Sequence, residues 1–462
     1  MQLSRVGLTD IKAFIKKNIF FGNDPSLELV AILAVYFVQG ILGLARLAVS
    51  FFLKDDLGMS PAETAALFGI VAIPWVIKPV FGFLSDGLPI FGYRRRPYLI
   101  LSGLLGTLSW IALATVVSHP VTATIAIALS SLSVAISDVI VDSLVVERAR
   151  NESIGNIGSL QSLCWGTSAV GGLITAYLSG YLLEAFSART VFLITATFPL
   201  LVSAVAGAIA EDRVSNVSNR ETVKSQIKQL RGAITQKSIW LPTAFVFLWQ
   251  ATPTADSAFF YFSTNELGFQ PEFLGRVRLI TSIASLVGIW LFQRFFKSVP
   301  FRKIFLGSTL ISSALGMTML LLVTHANRSL GIDDHWFSLG DSLILTVAGQ
   351  IAYMPVLVLA ARLCPPGVEA TLFALLMSIA NLAGLLSHES GALLTYLLGV
   401  TETNFDNLWL LVVITNLTTL LPLPLIDWLP QVSARGEEEV PSSPIAQPEP
   451  LGPELVPEFV SD

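Results

Sequence analysis

The sequence predicts an all-α integral membrane protein with twelve transmembrane helices in two six-helix pseudo-repeats. First, hydrophobic residues make up 53% of the 462 residues and charged residues only 13%, about half the charged fraction of an ordinary soluble protein. Second, the apolar residues form continuous runs of more than ~18 residues, which favours helices over the alternating strands of a membrane barrel. Third, similar loop sequences recur at a nearly constant spacing.

Twelve apolar stretches are long enough to cross ~30 Å of hydrocarbon. Numbered as spans 1 to 12, they cover residues 29–53, 62–84, 97–117, 121–146, 157–183, 189–210, 238–262, 273–296, 301–324, 340–363, 368–398 and 407–429. An even number of spans places both chain termini on the same side of the membrane.

Three polar segments flank and separate the two six-span halves, 28–210 and 238–429. The N-terminal segment, 1–27, has an apolar face beside several lysines, which fits an interfacial helix on the membrane surface or plain disorder. The central loop, 211–237, joins the halves. The tail, 430–462, holds seven prolines and seven acidic residues against one arginine, so it is predicted to be disordered.

Lysine and arginine are distributed unevenly between the two sets of loops. Twenty lie on one side of the membrane, in segments that include the N-terminal segment and the central loop, and three lie on the other side. Because cytoplasmic loops collect basic residues, both termini and the central loop are predicted to be cytoplasmic.

The two halves carry matching loop sequences. Asp-Leu-Gly-Met-Ser-Pro at 56–61, after span 1, corresponds to Glu-Leu-Gly-Phe-Gln-Pro at 266–271, after span 7, at an offset of 210 residues. Glu-Arg at 147–148, after span 4, corresponds to Ala-Arg at 361–362, after span 10, at an offset of 214. The similar offsets indicate duplication of a six-helix unit.

The residue inventory contains no catalytic or metal-binding motif. Cys164 and Cys364 form no metal-ligand spacing, and no nucleotide-binding loop or nucleophile motif is present. The net charge of −5 leaves no basic excess for nucleic acid. We therefore expect no enzyme activity, cofactor, metal or nucleic-acid partner, and a monomer in contact with membrane lipid.

The loop between spans 2 and 3 resembles the loop motif of the major facilitator superfamily. It reads Gly-Phe-Leu-Ser-Asp at 82–86 and, after extra residues at 88–91, Gly-Tyr-Arg-Arg-Arg at 92–96. The resemblance implies the major facilitator fold, with cytoplasmic contacts that latch the halves together in one transport state. The predicted cytoplasmic gate consists of Asp86, Arg94, Arg95, Arg96, Glu147, Arg148 and Arg362.

Longer segments at 82–103, 137–150 and 360–384 resemble the folate–biopterin transporter family. The resemblance implies import of folates or related pterins, coupled to protons. No organelle transit peptide is recognised, so a bacterial inner membrane is expected. Two alternatives remain: a transporter of another aromatic or amphipathic anion, and a non-transporting assembly or pigment-delivery protein of related fold.

Six charged residues lie within predicted spans, where each costs ~2.5–3.5 kcal/mol unless it faces a cavity or a partner. They are Arg46, Lys78, Asp138, Asp142, Asp256 and Glu389. Asp138 and Asp142 are one helical turn apart, so one of them can hold a proton, and a carboxylate matches the paired N–H donors of a pterin. Alternatively, Asp138 and Asp142 have no part in transport and form a structural network with Lys78 or Arg148.

The other charges have similar paired interpretations. Lys78 either binds a substrate carboxylate or neutralises the span 4 acids. Arg46 and Asp256 are 210 residues apart, so they are predicted to face the cavity at pseudo-equivalent positions. Arg46 suits the glutamyl carboxylates of a folate, and the alternatives are a structural pair with Asp256 or contact with the membrane interface.

Several further side chains are candidates. Three amides in apolar runs bond either the substrate or a neighbouring helix: Gln161, Gln250 and Asn381. Glu389, next to His388, either carries a proton or forms a pair in the outer vestibule. Arg276 and Arg278 open span 8, where they reach the interface or attract anions.

The charge bias predicts that the central loop is inaccessible from outside the cell. Single cysteines placed in 214–234 of a variant lacking Cys164 and Cys364 should resist an impermeant thiol reagent in intact cells. Ser329→Cys, in a predicted outer loop, should react and serves as the control. Ready labelling of the central loop would overturn the topology.

Overall fold

The structure is a computed structural model that describes residues 25–149, 159–211, 213, 235–296, 298–362 and 369–431. Its regular structure is helical, apart from one isolated antiparallel bridge between Ile90 and Tyr93. The predicted N-terminal interfacial helix, most of the central loop and the tail beyond 431 lie outside the described residues.

The helices follow the predicted apolar stretches. Those of the N-terminal half are α1 (Leu27–Ile41), α2 (Leu44–Phe51), α3 (Pro61–Val71), α4 (Ile73–Val76), α5 (Lys78–Gly87), α6 (Arg96–Thr115), α7 (Pro120–Ala149), α8 (Ser159–Ala185) and α9 (Ala188–Val205). Those of the C-terminal half are α10 (Lys237–Gln250), α11 (Asp256–Tyr261), α12 (Pro271–Leu291), α13 (Phe301–Gly316), α14 (Met319–Val323), α15 (Ala326–Ser329), α16 (Asp334–Arg362), α17 (Glu369–Leu397) and α18 (Leu408–Thr418).

Nine helical segments of the described chain are long and apolar enough to cross a membrane. They correspond to nine of the twelve predicted spans, and the other three are spans 5, 7 and 11. Span 7 was predicted as one stretch over 238–262, but residues 251–255 separate α10 from α11, so neither piece is long enough alone. Spans 5 and 11 are occupied by α8 and α17, of 27 and 29 residues.

The two halves share an unusual local geometry after their first spans. A π-helical turn at Phe52–Asp56 follows α2, and another at Phe262–Glu266 follows α11, exactly 210 residues later. Gly58 and Gly268 then adopt φ angles of +61° and +70°, which only glycine reaches without strain. The sequence match at 56–61 and 266–271 therefore corresponds to a matched backbone path.

Irregularities in the first span of each half are also matched. Residues 42–43 form a tighter turn between α1 and α2 in which φ and ψ stay helical, and residues 251–255 interrupt the helix between α10 and α11. Adding the 210-residue offset to the first break gives 252–253, within the second. Interrupted helices leave backbone groups free inside a membrane protein, which is tolerated where they line a cavity or contact protein.

Glycines allow the closest helix crossings. A Cβ atom at Gly40 would lie 2.1 Å from the Ser168 carbonyl oxygen, and one at Gly103 would lie 2.5 Å from the Pro199 carbonyl oxygen. These crossings join α1 to α8 and α6 to α9. Small residues serve this purpose in membranes because lipid gives no hydrophobic drive for helix association, so close packing must supply it.

Several described contacts between the halves lie near the ends of the spans away from the Arg94–Arg96 loop. The Tyr261 hydroxyl donates to the Met59 carbonyl oxygen at 2.5 Å and pairs with Thr64 Oγ1 at 2.9 Å. The Phe51 and Phe260 rings meet edge to face at 5.3 Å. These contacts join α2, α3 and the loop between them to α11.

Gly180 of α8 and Gly275 of α12 form the tightest described crossing of two backbones from different halves. A Cβ atom at Gly180 would lie 2.4 Å from the Pro271 carbonyl oxygen and 2.7 Å from the Gly275 Cα atom. Because both obstacles are backbone, no side-chain movement can relieve the overlap.

We predict that Gly180→Ala forces α8 and α12 apart and destabilises the fold by about 1–3 kcal/mol, the usual cost of overpacking. Gly172→Ala is the matched control, because a Cβ at Gly172 of the same helix meets no heavy atom within 4 Å. Thermal unfolding of the purified proteins in detergent measures the difference. Equal unfolding temperatures for the two variants would contradict the crossing.

Candidate functional site

Three charged side chains from α5 and α7 meet in the N-terminal half. Lys78 is the first residue of α5, directly after the break at Ile77 and before Pro79. Asp138 and Asp142 are one turn apart on α7, so they share a face of that helix. Span 2 therefore supplies the Lys78 ammonium group directly after its break, and the continuous span 4 supplies the carboxylates of Asp138 and Asp142.

The lysine contacts both acids. Its Nζ atom forms an ion pair with Asp138 Oδ2 and lies 3.1 Å from Asp142 Oδ2. The Tyr36 hydroxyl of α1 donates to the other Asp142 oxygen, Oδ1, at 2.6 Å. The structural network with Lys78, which was one of the two interpretations of span 4, is thus formed.

The two acids differ in exposure. The Asp138 side chain is 12% exposed and the Asp142 side chain is 46% exposed, whereas that of Lys78 is 21% exposed. Asp138 is therefore the more enclosed partner of the lysine, and Asp142 keeps an open side. With all three groups ionised, the cluster carries one excess negative charge. A proton or a bound cation can neutralise this charge, and an N–H donor can stabilise it by hydrogen bonding.

Tyr36 was missed by the sequence interpretation. A tyrosine within an apolar stretch resembles an interface residue, and its partner is 106 residues away, so no local spacing connects them. Asp341 of α16 was also missed: its carboxylate accepts a hydrogen bond from Thr318 Oγ1. Asp341 could have been found from the sequence, because it is an acidic residue inside predicted span 10.

Arg46 and Asp256 occupy matched positions directly after the two breaks. Arg46 is the third residue of α2 and Asp256 is the first residue of α11, and both are exposed. Among the ion pairs of the described residues none joins them. The structure therefore gives no support to the Arg46–Asp256 structural pair.

The candidate amides have different environments. Asn381 Nδ2 donates to the Trp75 carbonyl oxygen at 3.1 Å, so Asn381 fastens α17 to the broken span 2. Gln250 Nε2 is buried and has no hydrogen-bond partner. The Gln161 side chain lies outside the described residues.

Glu389 packs against α3. A Cβ atom at Gly69 would lie 2.3 Å from Glu389 Oε1, so the carboxylate occupies the space that a side chain at Gly69 would fill. The neighbouring His388 ring lies 6.5 Å from the Phe68 ring, and its Nδ1 atom is buried with no partner. This pair sits at the contact between the halves.

The described contacts of the predicted cytoplasmic gate lie within the N-terminal half. The Glu211 carboxylate accepts backbone N–H bonds from Arg94, Arg95 and Arg96 at 2.5, 2.9 and 3.1 Å. A carboxylate suits the start of α6, where N–H groups lack helical partners. Glu211, which the sequence interpretation missed, thereby anchors the loop between spans 2 and 3.

Other gate residues are only partly described. Arg95 donates to Ser85 Oγ at 3.1 Å, and Arg148 pairs with Glu28 of α1 at 3.1 Å. The side chains of Asp86, Glu147 and Arg362 lie outside the described residues. The predicted contacts of Asp86 with span 11 and of the arginines with Glu147 therefore stay predictions.

Comparison with known proteins identifies the family. Residues 39–444 match the BT1 family. The chain belongs to the BT1 family. It is 63% identical over 435 residues to a Synechocystis protein named Folate-biopterin transporter, an alignment that covers 93% of this chain and 88% of that relative. It is 32% identical to a Plasmodium falciparum protein named Folate transporter 2, across 86% of this chain and 88% of that relative.

Solved structures share the fold of this BT1 family member. The nucleoside transporter NupG aligns with a TM-score of 0.66 and 12% identity, covering 86% of this chain and 98% of NupG. A D-xylose-proton symporter aligns with a TM-score of 0.62 and 14% identity, covering 89% and 100%. The predicted family resemblance is confirmed, and the protein is a multi-pass membrane protein with a transporter fold rather than an enzyme fold.

We predict that Lys78→Met is strongly destabilising, by about 3–5 kcal/mol, because removal of one partner of a buried ion pair strands the other charge. Lys78→Met combined with Asp138→Asn should recover much of the loss, since the neutral amide needs no counterion. Thermal unfolding in detergent and the amount of protein in the membrane check both. A double variant no more stable than the single one would contradict the pairing.

Proposed function

We propose that the protein is a secondary transporter that imports folates or related pterins by alternating access. The observation that carries this proposal is the 63% identity, across 93% of the chain, to a Synechocystis protein named Folate-biopterin transporter. The likeness to NupG and the symporter supports the fold alone, because identity there is only 12–14%.

Asp142 is the proposed partner of the pterin ring. Its two oxygens already accept one bond each, from Tyr36 and Lys78, but each carboxylate oxygen has two lone-pair sites. The exposed side of Asp142 can therefore accept the 2-amino group and the adjacent ring N–H of a pterin as parallel bonds. The unpartnered Gln250 amide is a second proposed ligand.

Proton coupling is proposed to use the excess negative charge of the same cluster. Two carboxylates one turn apart share a single lysine, so uptake of one proton neutralises the cluster. Asp138 is the proposed proton carrier, because it is the more enclosed acid. Glu389 is a second candidate for the proton carrier, because it lies where the halves meet.

The proposed topology adds α8, α17 and the broken α10–α11 to the nine described membrane segments, giving twelve spans. Both termini and the central loop are placed in the cytoplasm by the charge bias, and the protein is proposed to act as a monomer in a bacterial inner membrane. The inter-half contacts at the outer ends then correspond to a closed outer gate.

Uptake of labelled folate and of labelled pterin into proteoliposomes tests the function. We expect accumulation of at least one of them when the outside is made acidic, and its collapse when a protonophore is added. Empty liposomes are the control. Absence of uptake of both compounds by well-folded protein would contradict the proposal.

We predict that Asp138→Asn abolishes proton-driven accumulation but preserves exchange of internal for external substrate, because asparagine resembles a protonated aspartic acid. Asp341→Asn is the matched control: Asp341 is another acid at membrane depth, but it pairs with Thr318 and not with a lysine. Accumulation and counterflow are measured on both variants. Undiminished pH-driven accumulation by Asp138→Asn would remove it from the coupling mechanism.

A further inference from the structure

Arg278 is an arginine of α12 that the proposed pterin site does not use. Its Nη1 atom donates to the Gly43 carbonyl oxygen at 3.4 Å and to Ser179 Oγ at 3.3 Å. Gly43 lies in the break between α1 and α2, and its carbonyl oxygen also accepts the Arg46 backbone N–H at 3.2 Å. The guanidinium group of Arg278 and the backbone of Arg46, from opposite halves, therefore meet at the Gly43 carbonyl oxygen.

The two guanidinium groups have no counterion among the described residues. No ion pair of the described residues includes either of them. Arg276, two residues from Arg278, contrasts with them because it pairs with Glu272 at 2.6 Å. Two adjacent cations at membrane depth are costly, so this position is suited to an anion.

The open face of α2 points toward the other half. Leu44, Ala45 and Leu47 are buried, whereas Arg46 is exposed and Gly43 is partly exposed. A lipid-facing side would carry large apolar residues at helical spacing, but this face carries glycine and arginine. Since Gly43 contacts Arg278 of the C-terminal half, Arg46 lies at the interface between the halves.

The site is closed on its outer side. Gly275 precedes Arg278 by one turn of α12, and Gly180 follows Ser179 on α8. These glycines form the backbone crossing in which a Cβ atom would lie within 2.4 Å of its neighbour. Arg278 thus sits directly beneath the tight crossing, so an anion would reach it from the interior of the molecule.

We propose that Arg46 and Arg278 form a dicarboxylate subsite that holds the glutamyl tail of a folate. This assignment rests on the proposed function and specifies which part of the substrate each half grips. The tail bears two carboxylates, and each guanidinium presents paired donors matched to one of them. Because the arginines belong to different halves, a bound tail joins the halves electrostatically.

Uptake kinetics with three compounds test the subsite: folate, with two tail carboxylates; pteroate, with one; and pterin, with none. Arg278→Leu should raise the KM for folate by about 10- to 100-fold, the range expected for a lost charge-assisted contact. The KM for pteroate should rise less, and that for pterin should stay within about two-fold. Arg276→Leu, the matched control, should leave all three values unchanged.

A purely structural role predicts a different pattern. If Arg278 only fastens the helix break to Ser179, its loss should affect all three compounds in parallel, and an unchanged ratio of folate to pterin KM would overturn the subsite. Should Arg278→Leu fail to reach the membrane, Arg46→Leu provides the same test, because no described side-chain bond holds Arg46. Failure of the wild-type protein to transport any of the three compounds would instead reject the proposed function and the subsite with it.

Discussion

A charge inside the hydrocarbon must be matched by another charge, and this requirement organises the N-terminal half. Asp138 and Asp142 can remain on α7 because Lys78 reaches both of them. Lys78 reaches them because span 2 is interrupted at Ile77 and α5 starts anew at the lysine. Tyr36 then ties α1 to the same point. Three spans are thus held in register by one net negative cluster, and any change of its charge is felt by all three.

The sequence predicted the fold class and the charged members of this cluster, because apolar runs and the charges within them are local signals. Lys78, Asp138 and Asp142 stand out by their surroundings alone. Tyr36 and Glu211 do not, because the first resembles an interface aromatic and the second lies in a polar loop, and their roles arise only from contacts more than 100 residues away. The helix breaks were equally invisible, since residues 42–43 and 251–255 lie inside apolar stretches. The gate contacts of Asp86, Glu147 and Arg362 stay predictions, because these side chains lie outside the described residues.

The duplication preserved backbone geometry but not charge. Positions 78, 138 and 142, shifted by the offsets of 210 and 214, correspond to Gly288, Ala352 and Val356. Gly288 packs against Gln350, and Val356 lies in an apolar cluster with Phe245 and Phe301. At the corresponding positions, the C-terminal half therefore has close packing where the N-terminal half has the ion cluster. The ion cluster of the proposed site therefore lies in the N-terminal half, whereas the C-terminal half contributes Arg278 and Gln250.

The crossing of Gly180 and Gly275 has a mechanical consequence. Because the two backbones are in direct contact, no side chain fills the crossing point, so this point has the form of a fulcrum about which the helices can tilt. The distance along α8 from Gly180 to its other end at Ser159 is roughly 30 Å at 1.5 Å per residue. With that lever arm, a tilt of about 10° displaces the far end by about 5 Å, close to one helical pitch. Groups beside the fulcrum, such as Arg278, move far less. During one transport cycle, the end of a bound molecule held near Arg278 would therefore move much less than the end held far from the crossing.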